Sequence, residues 1–227
     1  MKHKLISFLA TGTLLLTVLW MVFITMEVVV GGTQSTLVEK LAYIAQFNVL
    51  FFLTHLSAAL ITLTTALLFA ALYRYIQNLA PEIATMGLIL IPAYVVCSFI
   101  VSFTQITVVP TLNDLYRQPE YQSTAYVLLQ QILQTWPTSS AALVNGLAYS
   151  LLGISSIFFG WILMVEKRLS RWAGALLALD GLAYLIGFAG IVARNNILRI
   201  GYPLGWILFL AALIFLSRPL FEVNRAS

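Results

Sequence analysis

Six long apolar segments constrain the fold of this chain more than any other feature. They cover roughly residues 5–28, 43–72, 84–108, 138–164, 172–193 and 202–217. A helix that crosses the hydrocarbon core of a bilayer needs about 20 apolar residues, which these segments reach or approach. Only 9% of the residues are charged, against about 25% in a water-soluble domain. The sequence therefore predicts a single domain over 1–227, an all-α polytopic membrane helix bundle with six transmembrane helices.

The distribution of basic residues predicts the orientation of the bundle in the membrane. With the N-terminus inside, the inner segments carry eight Lys and Arg residues and the outer segments carry four. The inner ones are Lys2, Lys4, Arg74, Lys167, Arg168, Arg171, Arg218 and Arg225. Because positive charge accumulates in cytoplasmic segments, both termini are expected in the cytoplasm. This bias accounts for the net charge of +4, and no nucleic-acid partner is expected.

The N-terminus resembles a signal peptide, with basic residues followed by an apolar run. The run exceeds the usual length of about 7–15 residues, and no A-x-A cleavage site follows it. We expect it to be retained as the first span.

The segment 109–137 is predicted to lie outside and to contain an outer amphipathic helix. One helical face carries apolar side chains, at Tyr121, Ala125, Leu128, Ile132 and Trp136. Such a helix lies at the membrane interface. The simpler interpretation is a lead-in to the fourth span, and the alternative is a lid over a cavity that opens outward.

Small and polar residues recur every seven positions in three of the predicted spans. Gly146, Gly153 and Gly160 form such a series in the fourth span, which predicts close packing against a neighbouring helix. Asn48 and His55, followed by Thr62, form a second series in span two. Ala173, Asp180 and Gly187 form a third, in span five. We expect all three series to face the interior of the bundle.

His55 and Asp180 are the main candidates for a functional site. His55 lies about nine residues from the outer end of its span, and Asp180 lies about nine residues from the inner end of its own. Nine residues correspond to about 13 Å of depth, so both lie near the middle of a core about 30 Å thick. Ionisable groups at that depth are costly and mark functional sites by default. The two residues are hypothesised to relay a proton or bind a ligand. Alternatively, they satisfy each other, or are satisfied separately, and hold helices in register.

Several uncharged polar residues complete the candidate site. Ser98, Ser102 and Gln105 share one face of the third span, and Asn145 lies in the outer half of the fourth. They are predicted either to line an outward-facing cavity or to form hydrogen bonds between helices. The candidate ligand-binding set is thus His55, Asp180, Asn48, Asn145, Ser98, Ser102 and Gln105.

Motifs for metal, cofactor and catalytic chemistry are absent from the sequence. The lone Cys97 and the two histidines have no paired-ligand spacing, so no metal site is expected. No glycine-rich phosphate loop and no G-x-S-x-G elbow occur, so no cofactor and no catalytic residue is assigned.

Two stretches resemble a bacterial membrane family. Residues 169–187, "LSRWAGALLALDGLAYLIG", resemble the entry to the family's penultimate helix. Residues 66–89, "ALLFAALYRYIQNLAPEIATMGLI", resemble the junction between its second and third spans. The family is the six-span group called domain of unknown function 4386. The resemblance implies six spans and a bacterial membrane, and it implies no activity. Members often carry histidine near the fourth span, which "NGLAYSLLGISSIFFGW" lacks, so no functional residue is transferred.

Three functions remain open from the sequence. The first is a non-enzymatic protein of the inner membrane that binds a small apolar or amphiphilic ligand, or a membrane partner, within the bundle. The second is a small transporter that works as a homo-oligomer, although inverted halves are not evident. The third is an intramembrane enzyme in which His55 is the base and Asp180 orients it. The sequence shows no nucleophile for such an enzyme.

Overall fold

A computed structural model describes residues 2–31, 36–135, 138–166 and 170–223. Within these ranges the chain is helical and contains no β-strand. Six helical stretches are long and apolar enough to cross a membrane, which confirms the predicted all-α bundle. The orientation prediction rests partly on Lys167, Arg168 and Arg225, and the predicted amphipathic face includes Trp136; these residues lie outside the described ranges.

The second predicted segment divides into two helices. After α1 (Lys2–Gly31), the chain forms α2 (Leu37–Gln46) and α3 (Asn48–Ile76), with a break at Phe47. The predicted start of this span at residue 43 was therefore wrong, because α2 is a separate short helix. Its N-terminus is closed by a capping box between Thr36 and Glu39, a local signal that starts a new helix.

The third span is longer than predicted and is interrupted at two places near prolines. It consists of α4 (Pro81–Ile89), α5 (Ile91–Phe103), a π-helical turn (Thr104–Val108) and α6 (Val109–Tyr116). The first interruption, at Leu90, lies two residues before Pro92, which has no N–H and cannot continue the hydrogen-bond ladder. The predicted end of the third span at residue 108 was wrong, because the helix continues through α6 to Tyr116. Pro110 is tolerated in the first turn of α6, after the wider π turn.

The remaining helices are α7 (Gln122–Ile132), α8 (Ser140–Glu166), α9 (Arg171–Val192), α10 (Asn196–Arg199) and α11 (Gly201–Val223). Helix α7 confirms an amphipathic helix in this segment, but its buried face differs from the predicted one. Ala125 and Leu129 are buried, whereas Leu128 is 45% exposed and Tyr121 is 46% exposed. The buried face is shifted because α7 packs against α6.

The chain divides into two compact units. The first unit comprises Met1–Leu15, Thr62–Val96 and Gly146–Ser227, and the second comprises Leu16–Ile61 and Cys97–Asn145. The core of the second unit is formed by α2, α6 and α7, together with Phe51 of α3 and Leu133, which follows α7. Its buried apolar residues are Leu37, Leu41, Tyr43, Ile44, Phe51, Val109, Leu129 and Leu133. The Asn113 side chain donates a hydrogen bond to the carbonyl of Leu41 at 2.9 Å, which joins α6 to α2.

The first unit is held together by close contacts between helix backbones. Gly153 and Gly160 of α8 lie directly against the backbone of α9, and Gly201 of α11 lies against Ala183 and Gly187 of α9. The predicted packing of the glycine series in the fourth span is thereby confirmed. In lipid, such approach is favoured because small residues let helix backbones form extensive van der Waals contact. Helix α9 is therefore the element on which both α8 and α11 pack.

Candidate functional site

The candidate residues are distributed over both units. Asp180 belongs to the first unit, and the second contains His55, Asn48, Asn145, Ser98, Ser102 and Gln105. The hypothesis that His55 and Asp180 act as a pair stays a prediction.

His55 and Asn48 occupy different environments although they are seven residues apart. His55 is buried, and its ring makes an edge contact with Phe51 at 4.5 Å between centroids. Asn48 is exposed, so the prediction that it faces the interior was wrong. All three residues of the series belong to α3, but Asn48 is its first residue, and the helical period alone did not predict that this end of the helix is exposed.

Gln105 has a structural role that the sequence left as one of two alternatives. Its amide nitrogen donates to the Ile132 carbonyl at 2.8 Å, and its amide oxygen accepts from the Gln134 backbone at 3.1 Å. The side chain thus satisfies two backbone groups at the C-terminal end of α7 and fixes that end to the π turn. Ser98 and Ser102 are also buried, and Asn145 is half-buried.

The second unit holds a polar cluster that the candidate set omitted. The Thr54 hydroxyl donates to the Glu27 carboxylate at 2.5 Å. The buried Tyr43 hydroxyl lies near Glu27 and has no hydrogen-bond partner among the described residues. Burial, and to a lesser extent the charge of Glu27, raises the pKa of Tyr43. Glu27 was visible in the sequence as an acid inside an apolar run, but the position of Tyr43 depends on α2.

Asp180 occupies a very different environment in the middle of α9. Its side chain is completely buried, as the sequence series predicted. Neither carboxyl oxygen has a hydrogen-bond partner among the residues that the structure describes. The neighbouring Ser156 hydroxyl of α8 is also buried and lies close enough to the carboxyl to interact with it, although the pair falls outside strict hydrogen-bond geometry. Buried polar groups are nearly always paired in proteins, so this orphaned carboxyl requires an explanation.

A cluster of aromatic rings lies next to Asp180. Tyr184 is one helical turn further along α9 and lies within electrostatic range of the carboxyl. Its ring stacks on Tyr149 of α8 at 5.2 Å, and Tyr149 contacts Trp206 of α11 at 5.5 Å. Tyr149 also contacts Tyr202 at 6.3 Å and Tyr94 at 6.5 Å. Tyr149 is therefore the centre of the cluster.

We refer to Asp180, Ser156 and these aromatic residues as the Asp180 site. Neither Tyr149 nor Tyr184 belonged to the candidate set predicted from the sequence. The site was missed as a unit because its rings come from α5, α8, α9 and α11, which only packing brings together.

The composition of the Asp180 site restricts the chemistry it supports. Across the described ranges, no group of three or more His, Cys, Asp or Glu residues could hold a metal ion. The site offers one carboxyl and otherwise only hydroxyl oxygens, from Ser156 and four tyrosines, whereas Mg²⁺ and Ca²⁺ sites are built mainly from carboxylate, carbonyl and water oxygens. Aromatic faces carry negative electrostatic potential and attract organic cations. The site therefore combines one acidic group with a surface suited to an organic cation.

The six apolar helices define this chain as a multi-pass membrane protein. No family model, no curated protein and no solved structure matches it.

Proposed function

We propose that this protein binds a lipophilic organic cation, an amphiphilic ligand, at the Asp180 site. We place it in a bacterial inner membrane with both termini in the cytoplasm. The excess of basic residues in the inner segments and the resemblance to a bacterial six-span family support that placement.

The observation that carries the proposal is the orphaned carboxyl of Asp180. A carboxylate buried in a membrane protein costs free energy unless a cation or hydrogen-bond donors compensate it. In the described part of the chain, no Lys, Arg or His forms an ion pair with Asp180. A buried carboxyl can avoid this cost by binding a proton, and we propose that a cationic ligand replaces that proton at the Asp180 site.

The aromatic rings determine which kind of cation fits. Cation–π attraction is strongest for a poorly hydrated cation next to Trp or Tyr, because little water must be removed. Tyr149, Tyr202 and Trp206 are half-buried, so they form the part of the site closest to the surface of the first unit. We propose that a lipophilic cation enters the site from the bilayer past these three rings.

The proposal is tested by measuring binding of tetraphenylphosphonium to the purified protein in detergent. Asp180→Asn preserves the side-chain volume but removes the charge, and we expect affinity to fall by roughly tenfold or more. Asp114→Asn is the matched control, because Asp114 is an exposed acid in α6 outside the site. We expect its affinity to match that of the unchanged protein.

An uncharged analogue separates charge recognition from apolar partitioning. Triphenylphosphine oxide presents similar aromatic surface without a net charge, and we expect it to bind weakly to both proteins. The proposal is wrong if a folded Asp180→Asn protein, verified by size-exclusion chromatography, retains full affinity for the cation.

A further inference from the structure

A groove in the first unit, separate from the Asp180 site, runs between α1 and the C-terminal part of α3. It is open on one side and has a volume of about 600 Å³. Leu5 and Leu9 of α1 face Leu67 and Ala70 of α3 across an apolar floor, and Arg74 lies at one end. The groove is thus apolar along its length and cationic at its end.

The basic end of the groove coincides with the ends of both helices. His3, near the start of α1, contacts Tyr75, near the end of α3, at 4.8 Å between ring centroids. Lys4 and Arg74 are both exposed there. On the proposed orientation, this end lies at the cytoplasmic face, where the headgroups of anionic lipids attract basic residues.

We infer that this groove binds an anionic phospholipid, with an acyl chain on the apolar floor and the phosphate at Arg74. Leu67 and Arg74 are seven residues apart on α3, so they share one helical face about 10 Å in length. An acyl chain lying along that face ends where the guanidinium begins. We place the phosphate at Arg74 because a guanidinium carries a permanent positive charge and favours phosphate oxygens, and the Gln77 side chain also lines the groove.

The shape of the groove favours a lipid over free phosphate. The small side chain of Ala70 leaves room between the larger leucines of α1 and α3. Filling that room with an acyl chain gains van der Waals contact, which a free phosphate ion cannot provide. The bilayer supplies the lipid at high local concentration, since α1 and α3 are membrane spans.

The test is native mass spectrometry of the whole protein with phosphatidylglycerol and with phosphatidylcholine. We expect the unchanged protein to retain phosphatidylglycerol preferentially. Arg74→Gln should lower its apparent affinity for phosphatidylglycerol about fivefold, the effect of one basic residue near anionic headgroups. Arg218→Gln is the matched control, because Arg218 is an exposed arginine at the end of α11 whose guanidinium lies over Phe215. It should leave phosphatidylglycerol binding unchanged.

A second variant tests the apolar floor without changing charge. Ala70→Leu fills the groove and should reduce phosphatidylglycerol retention at least as much as Arg74→Gln does. The inference is overturned if both variants retain the lipid fully, or if Arg218→Gln weakens binding as much as Arg74→Gln. It is also overturned if millimolar inorganic phosphate displaces the lipid, because the groove would then recognise only the anion.

Discussion

The backbone of Gly153 in α8 lies so close to Gly181 in α9 that a Cβ atom on Gly181 would collide with the Gly153 carbonyl oxygen. This contact brings α8 and α9 together at the residue that follows Asp180. The carboxyl is consequently enclosed, with Ser156 of α8 as its polar neighbour. Close backbone packing and the orphaned acid are therefore parts of one arrangement.

Substitution of Gly181 should destabilise the first unit. Gly181→Ala places a methyl group against the Gly153 carbonyl, and relief requires movement of helix backbones rather than of a flexible side chain. We expect the free energy of unfolding to fall by about 1–3 kcal/mol. Gly153→Leu should have at least as large an effect. Thermal unfolding in detergent, followed by circular dichroism, measures both changes.

Gly12→Ala is the control for the glycine substitutions. Gly12 lies in α1, and an added Cβ there meets no atom within 4 Å. We expect no loss of stability. Equal melting temperatures for Gly181→Ala and Gly12→Ala would show that the α8–α9 contact is not tight in the membrane protein.

Gln105 should be essential for the position of α7. Gln105→Leu removes both side-chain hydrogen bonds and leaves the Ile132 carbonyl and the Gln134 N–H without their partner. The expected cost is about 1–3 kcal/mol for buried unsatisfied groups. Hydrogen–deuterium exchange should accelerate over residues 122–135. Gln134→Ala is the control, because it leaves the backbone N–H of that residue and its bond to Gln105 in place. Exchange over residues 122–135 should therefore stay slow. Faster exchange in this variant would mean that the bond from Gln105 to the backbone does not hold α7 in position.

Replacement of Asp180 by an apolar residue should stabilise the protein. Asp180→Leu removes a buried carboxyl that has no hydrogen-bond partner in the described ranges, and leucine has the same branched arrangement of side-chain heavy atoms. We expect a gain of about 1–3 kcal/mol, the cost of a buried unsatisfied polar group. Differential scanning calorimetry without ligand measures the shift.

The hypothesised pair with His55 leads to the opposite result, because loss of Asp180 would leave the imidazole unsatisfied. A double-mutant cycle with His55→Ala would then show coupling.

The proposed orientation is tested by cysteine labelling from outside the cell. In a protein with Cys97 replaced by alanine, single cysteines are placed at Ser123, in α7, and Ser170, just before α9. An impermeant maleimide should label position 123 in intact cells and position 170 only after lysis. If position 170 alone is labelled in intact cells, the orientation is opposite to the proposed one.

The class of the protein and several inward-facing positions were determined by the sequence alone. Six apolar runs predict six spans, since lipid requires each segment to satisfy its own backbone hydrogen bonds. The spacing of Gly146, Gly153 and Gly160 predicted a packed helix face, and Asp180 was predicted to be buried. These features depend on local composition and helical periodicity, which a single segment contains.

Only the tertiary structure decided which residues share an environment. Asn48 is exposed although it lies on α3 seven residues before the buried His55, and the buried face of α7 follows from its contact with α6. The aromatic cluster around Tyr149 requires four helices to meet, and the orphaned state of Asp180 depends on what those helices place beside it. In lipid, helices associate through short-range contacts and shape complementarity, and these depend on the relative rotation and approach of whole helices.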